Sequence, residues 1–220
     1  GVPMVRLAIG VMLGDSLNDQ GYQGGLHKRQ KLVGVKAPVF SMSKLAGVDT
    51  YLGPEMKSTG EVMGIDYDFQ SALTKALIAS GTNLPAHGSV LMSIADKNKE
   101  EAISIIKSFA SLGYNFYATS GTAKVIAALD LQVTVVPKLL EGDHPNVVDV
   151  ISNGTVDVVI NTVTGDREVM QDGFHIRRAA VDRRLPCFTS LDTARAAVES
   201  LTSEHNSYNV LPISRYLSTQ

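Results

Sequence analysis

The sequence predicts an α/β protein: a Rossmann-like, doubly wound parallel sheet over residues 82–220, preceded by a less regular segment over residues 1–81. Three observations lead there. From Val90 onward, short apolar runs alternate with stretches of helical periodicity. The apolar runs are continuous, as in strands buried on both faces. Glycines close the helical stretches between them, at Gly113 and Gly154. Parallel strands joined by right-handed crossovers then distribute helices over both faces of the sheet.

The first segment opens with Pro3, which suits the first turn of a helix because its missing N–H costs nothing there. Val5, Leu7, Ala8, Ile9, Val11 and Met12 continue a largely apolar helix that stops near Gly14. Such a helix needs cover on nearly every side, so the expectation is a piece cut from inside a domain. A loop with Gly21, Gly24 and Gly25 follows. Residues 33–43 read as extended, with Pro38 marking an edge strand or irregular backbone. Residues 49–64 are rich in Gly, Pro, Ser and Thr and read as loop. Residues 68–80 place Phe69, Ala72, Leu73, Ala76 and Leu77 at helical spacing, with Gly81 as the stop. These pieces supply too few strands for a sheet of their own.

Residues 82–88 (Thr-Asn-Leu-Pro-Ala-His-Gly) read as a linker. Beyond them come strand 90–95, helix 96–112 with Asp96 as its cap, strand 115–118, helix 123–129 and strand 133–136. Helix 147–153, strand 156–160, helix 176–184, strand 187–189 and helix 192–201 complete the pattern.

Bulk properties exclude several classes of function. Charged residues make up 19% of the 220 and the net charge is −2. There is no basic stripe of the kind that nucleic acid requires. The single cysteine, Cys187, excludes an internal disulfide and a multi-cysteine zinc site, and reads as a small buried hydrophobe. There is no 18-residue apolar run to span a membrane and no signal segment, so a cytoplasmic location is expected.

Ligands of doubly wound sheets lie beyond the carboxyl ends of the strands. Those ends are followed here by Asp96-Lys97-Asn98-Lys99, by Thr119-Ser120-Gly121-Thr122, by Pro137-Lys138 and by Asn161-Thr162-Val163-Thr164-Gly165. Gly121 lets the backbone turn its N–H groups toward a ligand, and the helix start adds partial positive charge. Hydroxyls add donors, and Lys99 and Lys138 would complete a phosphate site as point charges. Each group has a plainer reading too: Thr119 and Thr122 as helix caps, the lysines as solvated surface. His87 and His144 read as loop histidines. Arg177 and Arg178 fit either anion binding or an ordinary polar helix face. No Ser-His-Asp order with an elbow motif and no paired carboxylates stand out, which favours a binding domain over a catalyst.

Two segments resemble a known family. The run Leu52-Gly53-Pro54-Glu55-Met56-Lys57-Ser58-Thr59-Gly60-Glu61-Val62-Met63-Gly64 is similar to the end of the second ATP-grasp domain of carbamoyl phosphate synthetase large subunits. The order of elements after Gly88, with Ala118-Thr119-Ser120-Gly121-Thr122-Ala123 and Ile160-Asn161-Thr162, resembles the methylglyoxal-synthase-like domain that follows it there. The resemblance implies an incomplete ATP-grasp tail over residues 1–81 and an allosteric domain over residues 82–220. It implies a ligase that makes carbamoyl phosphate from bicarbonate, glutamine-derived ammonia and two ATP for pyrimidine and arginine synthesis. The full enzyme uses ATP and Mg or Mn, and works with a glutaminase small subunit and other large subunits. The metal-binding residues are expected upstream of Gly1, so this piece alone is expected to be non-catalytic and free of cofactors.

By the same resemblance, Ser93, Lys99, Thr119, Thr122, Lys138, Asn161 and Thr162 are the effector-binding residues. The effector is UMP, IMP or phosphoribosyl pyrophosphate. Lys36, Met56 and Glu61 match residues lining a carbamate passage; a structural ion pair is the plainer reading of Lys36 and Glu61. Two positions depart from the pattern. Val163 stands where a relative has Thr and brings no hydroxyl, with Thr162 or Thr164 as the substitute. Ala37 stands where ornithine-activated members carry a Glu, and Thr189 cannot replace that carboxylate. A pyrimidine-type bacterial enzyme insensitive to ornithine is therefore expected. The alternatives are a methylglyoxal synthase, which needs a Gly-Gly-Asp type loop that is missing after Thr122, and a pure subunit-interaction module.

Overall fold

A computed structural model describes residues 2–40, 60–162, 167–202 and 208–217. The chain divides into two compact units, Gly1–Lys31 and Leu32–Thr219. The break in compactness falls after Lys31.

The first unit holds helix α1 (Met4–Met12), with Pro3 at its N-cap. The side-chain amide of Gln20 donates to Leu7 O at 3.2 Å and folds the following loop back on the helix. Leu7 is buried, but Val5 and Met12 remain 76% and 85% exposed. The described residues therefore do not supply the cover that so apolar a helix calls for.

The second unit begins with strands β1 (Val33–Val39) and β2 (Gly60–Asp66), which pair antiparallel with Val35 opposite Gly64. The segment from Gly60 is thus a strand, whereas its composition reads as loop. Pairing with β1 overrides the low intrinsic preference of its glycines. Helix α2 (Phe69–Ser80) packs on this hairpin, capped by the Asp68 carboxylate accepting from Ser71 N at 2.8 Å. Gly64 permits that packing, since a Cβ there would lie 1.9 Å from the backbone oxygen of Ala72.

Strand β3 (Ser89–Ser93), helix α3 (Lys99–Ser111), strand β4 (Asn115–Ala118), helix α4 (Ser120–Ala127) and strand β5 (Val133–Val135) follow. Helix α5 (Val147–Ser152), strand β6 (Val158–Asn161), helix α6 (Arg167–Asp182), strand β7 (Cys187–Phe188) and helix α7 (Leu191–Thr202) complete the layers, and α8 (Ile213–Leu217) ends the described chain. The five later strands form a parallel sheet in the order β5-β4-β3-β6-β7.

The pleat sends alternate residues to opposite faces. Val90, Met92, Val158 and Ile160 meet Leu77, Ile105, Ile106, Phe109 and Val198 from α2, α3 and α7. Leu91 and Val159 meet Val147, Ile151, Ile176 and Ala180 from α5 and α6. Both faces are covered, which is why these strands read as unbroken apolar runs. Burying a side chain such as Phe109 stabilises by roughly 1.5–3 kcal/mol.

Glycines end the helices as expected: Gly81, Gly113 and Gly154 all take positive φ, at 71°, 74° and 72°. Other boundaries differ. Asp96 does not cap α3 but sits in a 3-10 turn, Asp96–Asn98, that leads into it. Helix α4 starts three residues earlier than its apolar periodicity shows, with Thr119 at the N-cap. Helix α6 starts nine residues earlier, because its first turns are too polar for hydrophobic periodicity to mark them. The short α8 escapes periodicity for lack of length. The expected linker is anchored: Leu84 is buried, and the Tyr114 hydroxyl donates to Pro85 O. Burial first, and then the charge of Asp157, pushes the Tyr114 phenol up to about 12, so it stays a donor at neutral pH.

Replacing Gly64 with Ala is expected to force α2 off the hairpin. Urea denaturation should show a loss of about 1–3 kcal/mol, the usual cost of overpacking.

Candidate functional site

A cavity of about 450 Å³ lies across the carboxyl ends of β3, β4 and β6. The strand order reverses between β3 and β6, so the cavity occupies the switch point where such sheets bind ligands. Its size falls within the range of small-molecule sites, about 300–1,000 Å³. Ser93, Lys99, Thr119, Thr122, Lys138, Asn161 and Thr162, the residues expected from the sequence, all line it.

Their side chains have different engagements. Thr122 is 1% exposed, and its hydroxyl accepts from Ile94 N at 2.9 Å. The hydroxyl of Thr162 accepts from Ala95 N at 2.8 Å. These two threonines hold the chain where β3 leaves the sheet. Asn161 is engaged at both ends: its oxygen accepts from Arg177 Nη1 at 2.8 Å, and its amide donates to Ser93 O at 3.4 Å. Thr119 occupies the N-cap of α4, yet its side chain makes no cap hydrogen bond. Thr119 is 5% exposed and Ser93 is half-buried, and both line the cavity.

The cations are distributed around this frame. A Cβ on Gly121 would stand 2.8 Å from Lys99 Nζ, so the glycine lets the ammonium lie against the first turn of α4. The unpaired N–H groups of that turn and the ammonium together favour an anion. Lys99 Nζ is held 2.5 Å from Asp96, whose side chain is 93% exposed. The hydrogen bond from Lys99, and then its charge, hold the Asp96 carboxyl below the usual carboxylate range. Lys138 Nζ stands 3.8 Å from Asp172.

Asp96, Lys97 and Gly121, from the strand-end segments, also line the cavity, and so do Asp172 and Gly173, which no sequence signal points to. Asp172 and Gly173 were hidden in a stretch that reads as an ordinary helix face. Arg177, a candidate for anion binding, is instead buried at 1% exposure against Asn161.

Lys36 and Glu61 pair at 3.0 Å across the β1–β2 hairpin, with side chains 61% and 40% exposed. Met56, Val163 and Thr164 lie outside the described residues. Thr189 lines a neighbouring cavity of about 240 Å³ with Lys97, Glu101, Thr162 and Asp192. A larger cavity of about 650 Å³, walled by Tyr114, Phe116, Leu131 and Thr134 among others, has no charged residue in its lining. His87 is exposed, and His144 pairs with Asp149 at 2.5 Å. Among the described residues, no group of three or more His, Cys, Asp or Glu is placed to hold a metal ion, and no helix is long and apolar enough to cross a membrane.

Residues 101–189 match the MGS-like domain family. Thr119, Thr122, Lys138, Asn161 and Thr162 of the switch-point cavity fall within the matched residues, and Ser93 and Lys99 lie just before them. Over 216 residues, 98% of its length, the chain is 50% identical to the carbamoyl phosphate synthase large chain of Thermomicrobium roseum. The chain spans 20% of that relative's length. A methylglyoxal synthase structure from Elizabethkingia anophelis NUHP1 is similar at 18% identity and a TM-score of 0.41, over 61% of this chain and 92% of that one.

Thr122 and Thr119 are expected to separate in stability. Thr122→Val leaves Ile94 N–H buried without its acceptor and should cost about 1–3 kcal/mol in urea denaturation. Thr119→Val should cost less, since the Thr119 side chain makes no cap hydrogen bond to lose.

Proposed function

We propose that this chain is the regulatory C-terminal region of a carbamoyl phosphate synthase large chain and that its switch-point cavity binds a phosphorylated effector of the UMP class. The observation that carries this reading is the meeting of Lys99, Lys138 and Thr119 in one cavity at the start of α4. A phosphate would take the Lys99 ammonium from Asp96, whose exposed side chain is free to turn into water. The buried hydroxyls of Thr122 and Thr162 fix the cavity floor, so the ligand meets a preformed site.

In this reading residues 1–81 are the tail of an ATP-grasp domain, and ATP, its metal and the catalysis belong to the rest of a cytoplasmic ligase. The glutaminase subunit and other large chains would be its partners. The exposed Lys36–Glu61 pair fits a strand-surface ion pair as well as a passage residue. Ala37, on β1 opposite Val62, brings no carboxylate for an ammonium ligand, which supports a nucleotide-regulated enzyme indifferent to ornithine.

Calorimetric titration of the chain with UMP tests this. Binding is expected, and Lys99→Met or Lys138→Met should each weaken it about tenfold or more, since a hydrogen bond to a charged group contributes roughly 1.5–3 kcal/mol. Ornithine should give no heat. Silence with UMP up to millimolar concentration would move the assignment to a subunit-interaction module.

A further inference from the structure

We propose that Asp172 makes this cavity selective for a singly phosphorylated ligand whose other polar groups are neutral hydrogen-bond donors. The proposal rests on the phosphate reading above and narrows the ligand class. Asp172 lies on α6, is 7% exposed and lines the same cavity as Lys99 and Lys138. Among the described residues its contacts are long. Leu140 N donates to Oδ1 at 3.4 Å, and Lys138 Nζ stands 3.8 Å from Oδ2. Ordinary N–H···O bonds run at about 2.7–3.2 Å, and charge-assisted ones at about 2.7–2.9 Å. A carboxylate withdrawn from water needs better donors than these. The cavity is the open side from which they can come.

The two carboxylates of the cavity therefore act differently. Asp96 is almost wholly exposed and sits on a 3-10 turn, so it can give up Lys99 to an incoming phosphate. Asp172 is buried in the helix wall of the cavity, 7% exposed, and has no such path into water. An ionised carboxylate accepts hydrogen bonds and donates none. A ligand hydroxyl or N–H satisfies it, whereas a second phosphate meets like charge at short range. Lys138, beside Asp172, is already partly neutralised and cannot offset that repulsion in full.

Ribose 5-phosphate and 5-phosphoribosyl 1-pyrophosphate test the point, because they share one sugar phosphate and differ by a second anionic group. In calorimetric titrations of the whole chain, ribose 5-phosphate is expected to bind about tenfold more tightly or better, the scale of one charged contact. Asp172→Asn keeps the shape and removes the charge, and should narrow that ratio to about threefold or less. Equal or tighter binding of the pyrophosphate compound to the parent chain would overturn the proposal, as would an unchanged ratio in the variant. Should Asp172→Asn fail to fold by circular dichroism, the parent ratio alone decides. If UMP binds and the parent ratio is near one, only the Asp172 assignment falls. If UMP, ribose 5-phosphate and the pyrophosphate compound all fail to bind, the phosphate reading fails and takes this proposal with it.

Discussion

The carboxyl end of β3 is where this molecule is most constrained. The strand is buried and has a parallel neighbour on each side, β4 and β6. Beyond Ser93 the ladder stops, yet the backbone is still inside the protein, with Ile94 and Ala95 both buried. Buried N–H groups must find acceptors. Thr122 and Thr162 supply them, one from α4 and one from the segment after β6. The chain then leaves the sheet in a 3-10 turn, and the space between the diverging segments becomes the cavity.

Fold and site share these residues. Thr122, Thr162 and Asn161 line the cavity while holding backbone or guanidinium groups in place. Arg177, at 1% exposure, donates to the Asn161 oxygen, so this wall also holds a buried guanidinium. The opposite rim is looser. Asp96 and Lys99 form an ion pair that water can reach at one end, and such pairs contribute little to stability. One wall is thus preorganised and one rim exchangeable.

Away from the cavity, a second polar group organises the β1–β2 hairpin. Lys75 on α2 reaches Ile65 O at 3.0 Å, Asp66 at 2.7 Å and the Tyr216 hydroxyl at 2.8 Å, joining β2, α2 and α8. Burial alone would lower the Lys75 pKa. The hydrogen bonds and charge of Asp66 and Tyr216 outweigh it and hold the ammonium above its ordinary value. The hairpin side is thereby tied to α8, which follows the sheet's last helix in the chain.

Much of the fold was legible because its signals are local. Continuous apolar runs, helical spacing and glycine stops each lie within a few residues, and they placed β4 at Asn115–Ala118 and the stops at Gly81, Gly113 and Gly154. The clustering of lysines and hydroxyls after the strands was legible for the same reason, given a parallel sheet. What escaped the sequence is pairing over distance. Ile94 meets Thr122 across 28 positions, and Ala95 meets Thr162 across 67. No periodicity encodes which hydroxyl is taken by backbone and which, like that of Thr119, is left without a cap bond. Nor does any local pattern show that the Asp172 carboxylate stands near Lys138 or that Gly60 starts a strand. The sequence determined the layers and the end of the sheet where chemistry gathers. Only the tertiary structure decided which side chains are bound into the frame and which remain open, because a buried polar group takes the nearest partner in space, however far away it lies along the chain.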